Sequence, residues 1–232
     1  MQKIIVRDLG LMAYEAAWIF QEERLNEVIA SKKELKSDSH SGYFFLVEHP
    51  HVFTLGNSGK SDNLLVNEDF LKSKGATFYK TNRGGDITYH GPGQIVGYPI
   101  INLEAFGLGV REYIFRLEEV TISVLKHYDI HATRLDGATG VWLDAESVLK
   151  SRKICAMGVR VSRSVTMHGF AFNVNTDLDF YQLINPCGFT DRGVTSLKKE
   201  LGREIDMTEV KNLVIEKFAV IFGCEIILPN AS

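Results

Sequence analysis

The stretch from Ile130 to Asn175 constrains the fold more than any other. It carries four short β-like runs in succession, IHATRL, GVWLD, KICAMGVRV and TMHGFAFNV, with little helical period among them. Helical patterns lie elsewhere. Residues 11–30 place Tyr14, Trp18, Leu25, Val28 and Ile29 at three- and four-residue steps, and Val110 to His127 repeats apolar positions in the same way. A last helix opens with Asp206 and Glu209 at capping-box spacing, repeats Val210, Leu213, Val214, Phe218 and Ile221, and stops at Gly223. YFFLVE (43–48) and VFTLG (52–56), broken at His49-Pro50, and ATFYKT (76–81) read as further strands of a sheet, with short helices near Asn67–Lys74 and Leu178–Leu183. Strands grouped apart from helices argue against an alternating βαβ rhythm and predict an α+β fold. The 232 residues suffice for one substantial core, so a single domain over 1–232 is expected.

A composition of 45% hydrophobic and 24% charged residues excludes a disordered chain, and a net charge of −3 gives no global basic field for nucleic acid. No apolar run approaches the ~18–20 residues of a membrane span. The first twenty residues lack the order of a secretory signal, with Asp8 in their middle, so a cytoplasmic location is expected. Cys155, Cys187 and Cys224 are odd in number and have no metal-ligand spacing. In a reducing compartment each is a free thiol, either core filler or reagent.

Four stretches have the composition for chemistry. RGGDITYHGPGQ (83–94) packs paired glycines with Thr88, Tyr89, His90 and Gln94, which suits close approach of backbone to a ligand, although a tight loop alone would use the same glycines. Cys187 stands between Pro186 and Gly188, a loop setting; Cys155 and Cys224 lie in strand-like runs and read as packing. A reactive thiol needs a nearby cation to favour its thiolate. From Lys150 to Thr176 there are five basic residues and no acid, which suits either a solvated strand pair or a landing surface for an acidic partner. Strand alternation there puts Lys153 on one face with Cys155 and Met157, a lysine directed into an apolar surface, where desolvation favours the neutral amine. Finally, MHGFAFNVN (167–175) reads as an apolar strand with His168 as a satisfied core histidine, and its small Gly169 and Ala171 would leave room for an apolar tail.

Together these residues resemble a known family. RGGDITYHGPGQIVGYPI is similar to the signature of the lipoyl(octanoyl) transferases, and VEHPHVFTLG (47–56), TGVWLD (139–144), RKICAMGVRV (152–161), HGFAFNVN (168–175) and INPCGF (184–189) follow in family order across nearly the whole chain. Two departures are visible: Cys155 stands where small apolar residues are usual, and Asp136-Gly137-Ala138 replaces a turn that often contains proline.

The resemblance implies a mixed, mostly antiparallel sheet with packed helices, the fold of biotin and lipoate protein ligase catalytic domains. It implies transfer of an octanoyl group from acyl carrier protein to a lysine of a lipoyl domain, of a 2-oxoacid dehydrogenase complex or the glycine cleavage H protein, by a monomer with no cofactor, no metal and no nucleic-acid or membrane partner. It assigns Cys187 as the acyl-thioester nucleophile and Lys153 as its partner. Arg83, Gly84, Gly85, Asp86, Ile87, Thr88, Tyr89, His90, Ala156, Met157, Gly158, Gly169, Phe170 and Ala171 match the segments that line the family's substrate site. The chemistry is coherent, because joining a thioester to an amine is downhill without ATP and needs a nucleophile, proton transfer and oxyanion donors. Three rival readings remain: an ATP-dependent lipoate or biotin protein ligase, a non-catalytic carrier-protein scaffold, and a cysteine hydrolase.

Overall fold

A computed structural model describes residues 1–32, 40–185 and 192–228. Its main sheet contains β1 (Gln2–Leu11), β2 (Gly42–Glu48), β6 (Gln94–Ile101), β7 (Val141–Leu143), β8 (Arg152–Ser162), β9 (Val165–Asn173), β10 (Gly193–Val194) and β11 (Cys224–Ile227). The order is β10-β8-β9-β6-β2-β1-β11, with β7 also on β8. The pairings of β2, β6, β9 and β8 in the centre are antiparallel, whereas β1 runs parallel to β2 and β11, and β10 parallel to β8. A smaller sheet has β3 (Val52–Leu55) between β4 (Thr77–Lys80) and β5 (Ile87–His90). The break at His49-Pro50 therefore separates two sheets, where the sequence suggests one.

Helices cover both faces of the main sheet, which is why β2 and β6 are buried along almost their whole length and read as unbroken apolar runs. On one face α1 (Tyr14–Ser31) sets Ala17, Leu25 and Val28 against Phe45, Val96 and Ala171. On the other, α3 (Val110–His127) and α5 (Met207–Phe222) bury Leu117, Val124, Val214 and Phe218 against Phe44, Ile95 and Phe172. The small sheet, α2 (Glu68–Ser73) and the 3₁₀ turn Leu178–Leu183 form a third cluster around Phe53, Leu71 and Tyr89. A short helix, α4 (Leu197–Leu201), follows β10. The α+β class and mixed sheet hold.

Several local expectations change. IHATRL forms no strand beyond one bridge from Thr133 to Trp142, because Arg134 is drawn to α3, to Glu118, Glu119 and the Phe115 carbonyl. Asp206 caps α5 through Thr208 N and Glu209 N, but the Glu209 carboxylate accepts from the Tyr128 hydroxyl at 2.9 Å and does not complete a capping box. Gly223 ends the helix in the left-handed region, at φ +63°.

Candidate functional site

The glycine-dense segment before β5 docks on β8 through close backbone approach. Gly84 N–H donates to Val159 O at 2.9 Å, and a Cβ on Gly158 would stand 2.8 Å from Gly84 O. Gly158 pairs with Gly169 on β9, whose own Cβ would lie 2.1 Å from Gly97 O on β6. A row of glycines thus crosses the sheet where loop and strands press together. The room foreseen at Gly169 is taken by the Gly97 carbonyl, although Gly169 still borders the cavity described next.

Between this loop and the sheet lies a cavity open to solvent on one side, the concave setting in which small-molecule sites form. Arg83, Gly85, Asp86, Ile87, Thr88 and His90 line it from the loop and β5; Ala156, Met157, Gly158, Gly169, Phe170 and Ala171 line it from β8 and β9, and Lys153 joins them. Two anticipated residues do not line it. Gly84 is spent on β8, and Tyr89 turns into the small-sheet cluster, its hydroxyl 2.7 Å from His51 Nδ1 and its ring stacked on Phe180. Alternation along β5 sends Tyr89 to the face opposite Thr88 and His90. Cys187 lies outside the described residues.

Lys153 reaches the cavity through a bulge. Val141 pairs with Cys155 but Trp142 with Lys153, so Ile154 is an extra residue in β8. The bulge breaks the alternation that would have put Lys153 and Cys155 on one face. Cys155 is fully buried, its sulfur 3.6 Å from Thr121 Oγ1 on α3, and burial pushes its thiol up to about 12. Cys224 is likewise buried and pushed up to about 11. Lys153 Nζ donates to Thr139 O at 3.1 Å and lies 4.7 Å from the centre of the Trp142 ring, over which Arg192 also sits at 5.7 Å. Trp142 is held by its Nε1–H, which donates to Ala138 O. Val194 on β10 pairs directly with Lys153.

Along the strand axis from Lys153, the cavity reaches a buried aromatic and histidine cluster. Arg83, 7% exposed, donates from Nε and Nη2 to Thr54 Oγ1 and from Nη2 to Thr54 O. The Thr54 hydroxyl in turn faces His90 Nε2 at 3.4 Å. Gln94 donates its amide hydrogens to Tyr89 O, Asn173 Oδ1 and the Tyr181 hydroxyl, so its Oε1 faces His90 Nδ1 as acceptor and fixes that nitrogen as the protonated one. Burial, the His49 and His168 rings and Arg83 hold His90 well below the usual histidine range. His168 is 1% exposed, adopts φ +59°, donates from Nε2 to Asn82 Oδ1 at 2.7 Å, and lines the cavity with Tyr14 and Tyr98. Burial first, then Arg83 and Arg160, lowers it to about 3. It is therefore a neutral wall residue as well as a core one.

The acid-free stretch is less basic in space than along the chain. Arg152 pairs with Glu200 at 2.7 Å and also with Asp144, and Arg160 lies 3.7 Å from Glu22. Acids distant in sequence thus neutralise two of the five cations of the supposed landing surface. Residues that sequence reasoning did not assign to the site include Tyr14, Tyr98, Asn173, Tyr181, Arg192 and Val194. Tyr14 read only as a helix core position, and nothing in the local pattern marked Arg192 or Val194. Among the described residues no helix is long and apolar enough to cross a membrane.

Comparison with known proteins agrees with this architecture. Residues 13–219 match the family model of the lipoyl protein ligase A/B catalytic domain. An octanoyltransferase of Bacteroides fragilis is 54% identical over 209 residues, 90% of this chain and 93% of that protein. One of Flavobacterium psychrophilum is 51% identical over 229 residues, 97% and 98% of the two. Among solved structures, that of a bi-partite lipoate protein ligase and its E2 lipoyl domain from Thermoplasma acidophilum superposes with a TM-score of 0.72 at 13% identity, over 100% of this chain and 87% of that one, which speaks to the fold alone. The chain belongs to the lipoyl protein ligase A/B catalytic-domain family and, within it, to the octanoyltransferases.

Proposed function

We propose that this protein is an acyltransferase that moves an octanoyl group from the thiol of acyl carrier protein to a lysine of a lipoyl domain, with Cys187 as nucleophile and Lys153 as its proton-handling partner. The observation that carries the reading is a largely apolar cavity that ends at an amine: Lys153, on the glycine-row strand β8, held beside Trp142. The octanoyltransferase relatives support the acyl group. Cys187 is supported by its NPCG setting and by Arg192 and Val194, a few residues further on, which line the same cavity beside Lys153.

An eight-carbon acyl chain suits such a cavity. At ~0.8 kcal/mol per buried CH₂, its seven carbons beyond the carbonyl contribute on the order of 5 kcal/mol, enough to favour it over acetyl. Lys153 as ammonium favours the Cys187 thiolate. The sulfur attacks the donor thioester carbon to form a tetrahedral oxyanion, which collapses and expels the carrier thiolate. That thiolate takes a proton from Lys153, leaving a neutral amine and acyl-Cys187. The acceptor lysine arrives as an ammonium, and Lys153 takes one of its protons. The freed amine attacks the thioester carbon, the Cys187 thiolate leaves, the second proton passes to solvent, and the resting pair returns. Overall, thioester and ammonium become amide, thiol and a proton, with no nucleotide consumed.

Intact-protein mass spectrometry after incubation with octanoyl carrier protein tests the nucleophile. A hydroxylamine-labile octanoyl adduct is expected in wild type and in Cys155→Ala and lost in Cys187→Ala. An adduct that persists without Cys187 refutes the assignment. Turnover from free octanoate that depends on ATP would instead indicate a ligase. Lys153→Met is expected to abolish transfer, and a near wild-type rate would remove the two-role account of that amine.

A further inference from the structure

We infer that Glu118, on α3, is a positioning residue for Lys153 and acts through a single peptide unit. The peptide joining Thr139 and Gly140 presents its carbonyl to Lys153 Nζ at 3.1 Å and its N–H to Glu118 Oε1 at 2.9 Å. In a trans peptide these two groups point in opposite directions, so a carboxylate on one side sets where the carbonyl points on the other. Hydrogen bonds through one peptide also polarise each other, which strengthens the hold on the ammonium.

The surroundings allow this unit little other choice. Glu118 is 6% exposed, and its second oxygen accepts from Arg134 Nε at 3.0 Å, so the carboxylate is anchored. Gly140 has φ +127°, and a Cβ there would lie 2.6 Å from Cys155 O and 3.3 Å from Lys153 Cε. Only glycine brings this turn so close to the lysine stem. The inference rests on the reading of Lys153 as the proton-handling amine and adds which residue aims it.

Two variants separate aiming from charge balance, in the full-length enzyme with octanoyl carrier protein as donor and a lipoyl domain as acceptor. Glu118→Gln keeps an oxygen for Gly140 N–H but loses the charge that faces Arg134. Glu118→Asp keeps the charge but withdraws the oxygen by one carbon, about 1.5 Å. Positioning predicts that the Asp variant loses between about 10- and 100-fold in kcat with the acceptor KM nearly unchanged. It also predicts that the Gln variant melts lower yet transfers within about threefold of wild type. An Asp variant at wild-type rate, or a folded Gln variant as slow as the Asp one, overturns the inference. Should the Gln variant fail to fold, the Asp variant alone decides. Lys153→Met in the same assay separates the two ideas. Full activity in that variant defeats the functional reading itself, whereas its loss beside a fully active Asp variant defeats only the role of Glu118.

Discussion

Gly158→Ala probes the contact on which the cavity depends. The added methyl would stand 2.8 Å from Gly84 O, and ordinary contact begins near 3.4 Å, so the carbonyl must recede by about 0.6 Å. The loop has nowhere to go. On its far side Arg83 O and Gly85 O accept from Asn57 N and Ser58 N at 2.9 and 3.1 Å, and the Cβ position of Gly56 is 2.4 Å from Gly85 O. A shift of that size stretches the Gly84 N–H to Val159 O bond from 2.9 Å to roughly 3.5 Å, past useful length. Losing it costs about 0.5–1.5 kcal/mol, and overpacking about 1–3 kcal/mol, offset by about 0.4–1 kcal/mol from the stiffer unfolded chain. The net loss of about 0.5–4 kcal/mol corresponds to roughly 1–16 °C in melting temperature for a chain of this size. Thermal unfolding followed by circular dichroism measures it, and acyl-enzyme formation should fall in parallel because Arg83 and Asp86 move with the loop. A variant that melts within about 1 °C of wild type and acylates normally would show that the loop does not bear on Gly158.

Two further outcomes follow from buried groups. His49, fully buried, donates from Nδ1 to Met12 O and accepts from the Tyr98 hydroxyl at Nε2, and burial lowers it to about 4. Its unfolded form titrates near 6.5, so below that pH the unfolded chain binds the extra proton first. Stability should be full above about pH 6.5 and decline by up to about 3 kcal/mol as pH falls to about 4, with His168 adding in the same direction down to about 3. Urea titrations at several pH values check this, and a flat profile between pH 6.5 and 4 that is unchanged in His49→Gln contradicts it. Cys155, with its thiol pushed up to about 12 inside the core, should resist iodoacetamide in the native protein at pH 8 and react only on unfolding. Native labelling at the rate of an exposed thiol would show that its seat under α3 is wrong.

The glycine loop was legible in one dimension because Gly84 and Gly85 mark a place where backbone runs close to backbone, a requirement written in the residue type. Gly169 was not, since read as room for an apolar tail it lies instead against Gly97 O, a contact set by the pairing of β6, β9 and β8. The long helices were legible for a similar reason, since the period of apolar residues and the Asp206 and Gly223 caps belong to neighbouring positions. β1 was not, because a parallel strand between β2 and β11 takes its meaning from partners far along the chain.

Orientation and charge balance were decided only in three dimensions. One extra residue at Ile154 turns Lys153 toward the cavity and Cys155 into the core, and this depends on the register of β7 against β8. Glu200 and Glu22 reach Arg152 and Arg160 across the fold and balance two of the five cations that the 150–176 stretch shows as a string. The sequence by itself determined which chemistry the chain can attempt, since residue types and close-approach glycines are local properties. Which side chains face one another came from the packing of the sheet, because register and long-range ion pairs are set by segments that meet only after folding.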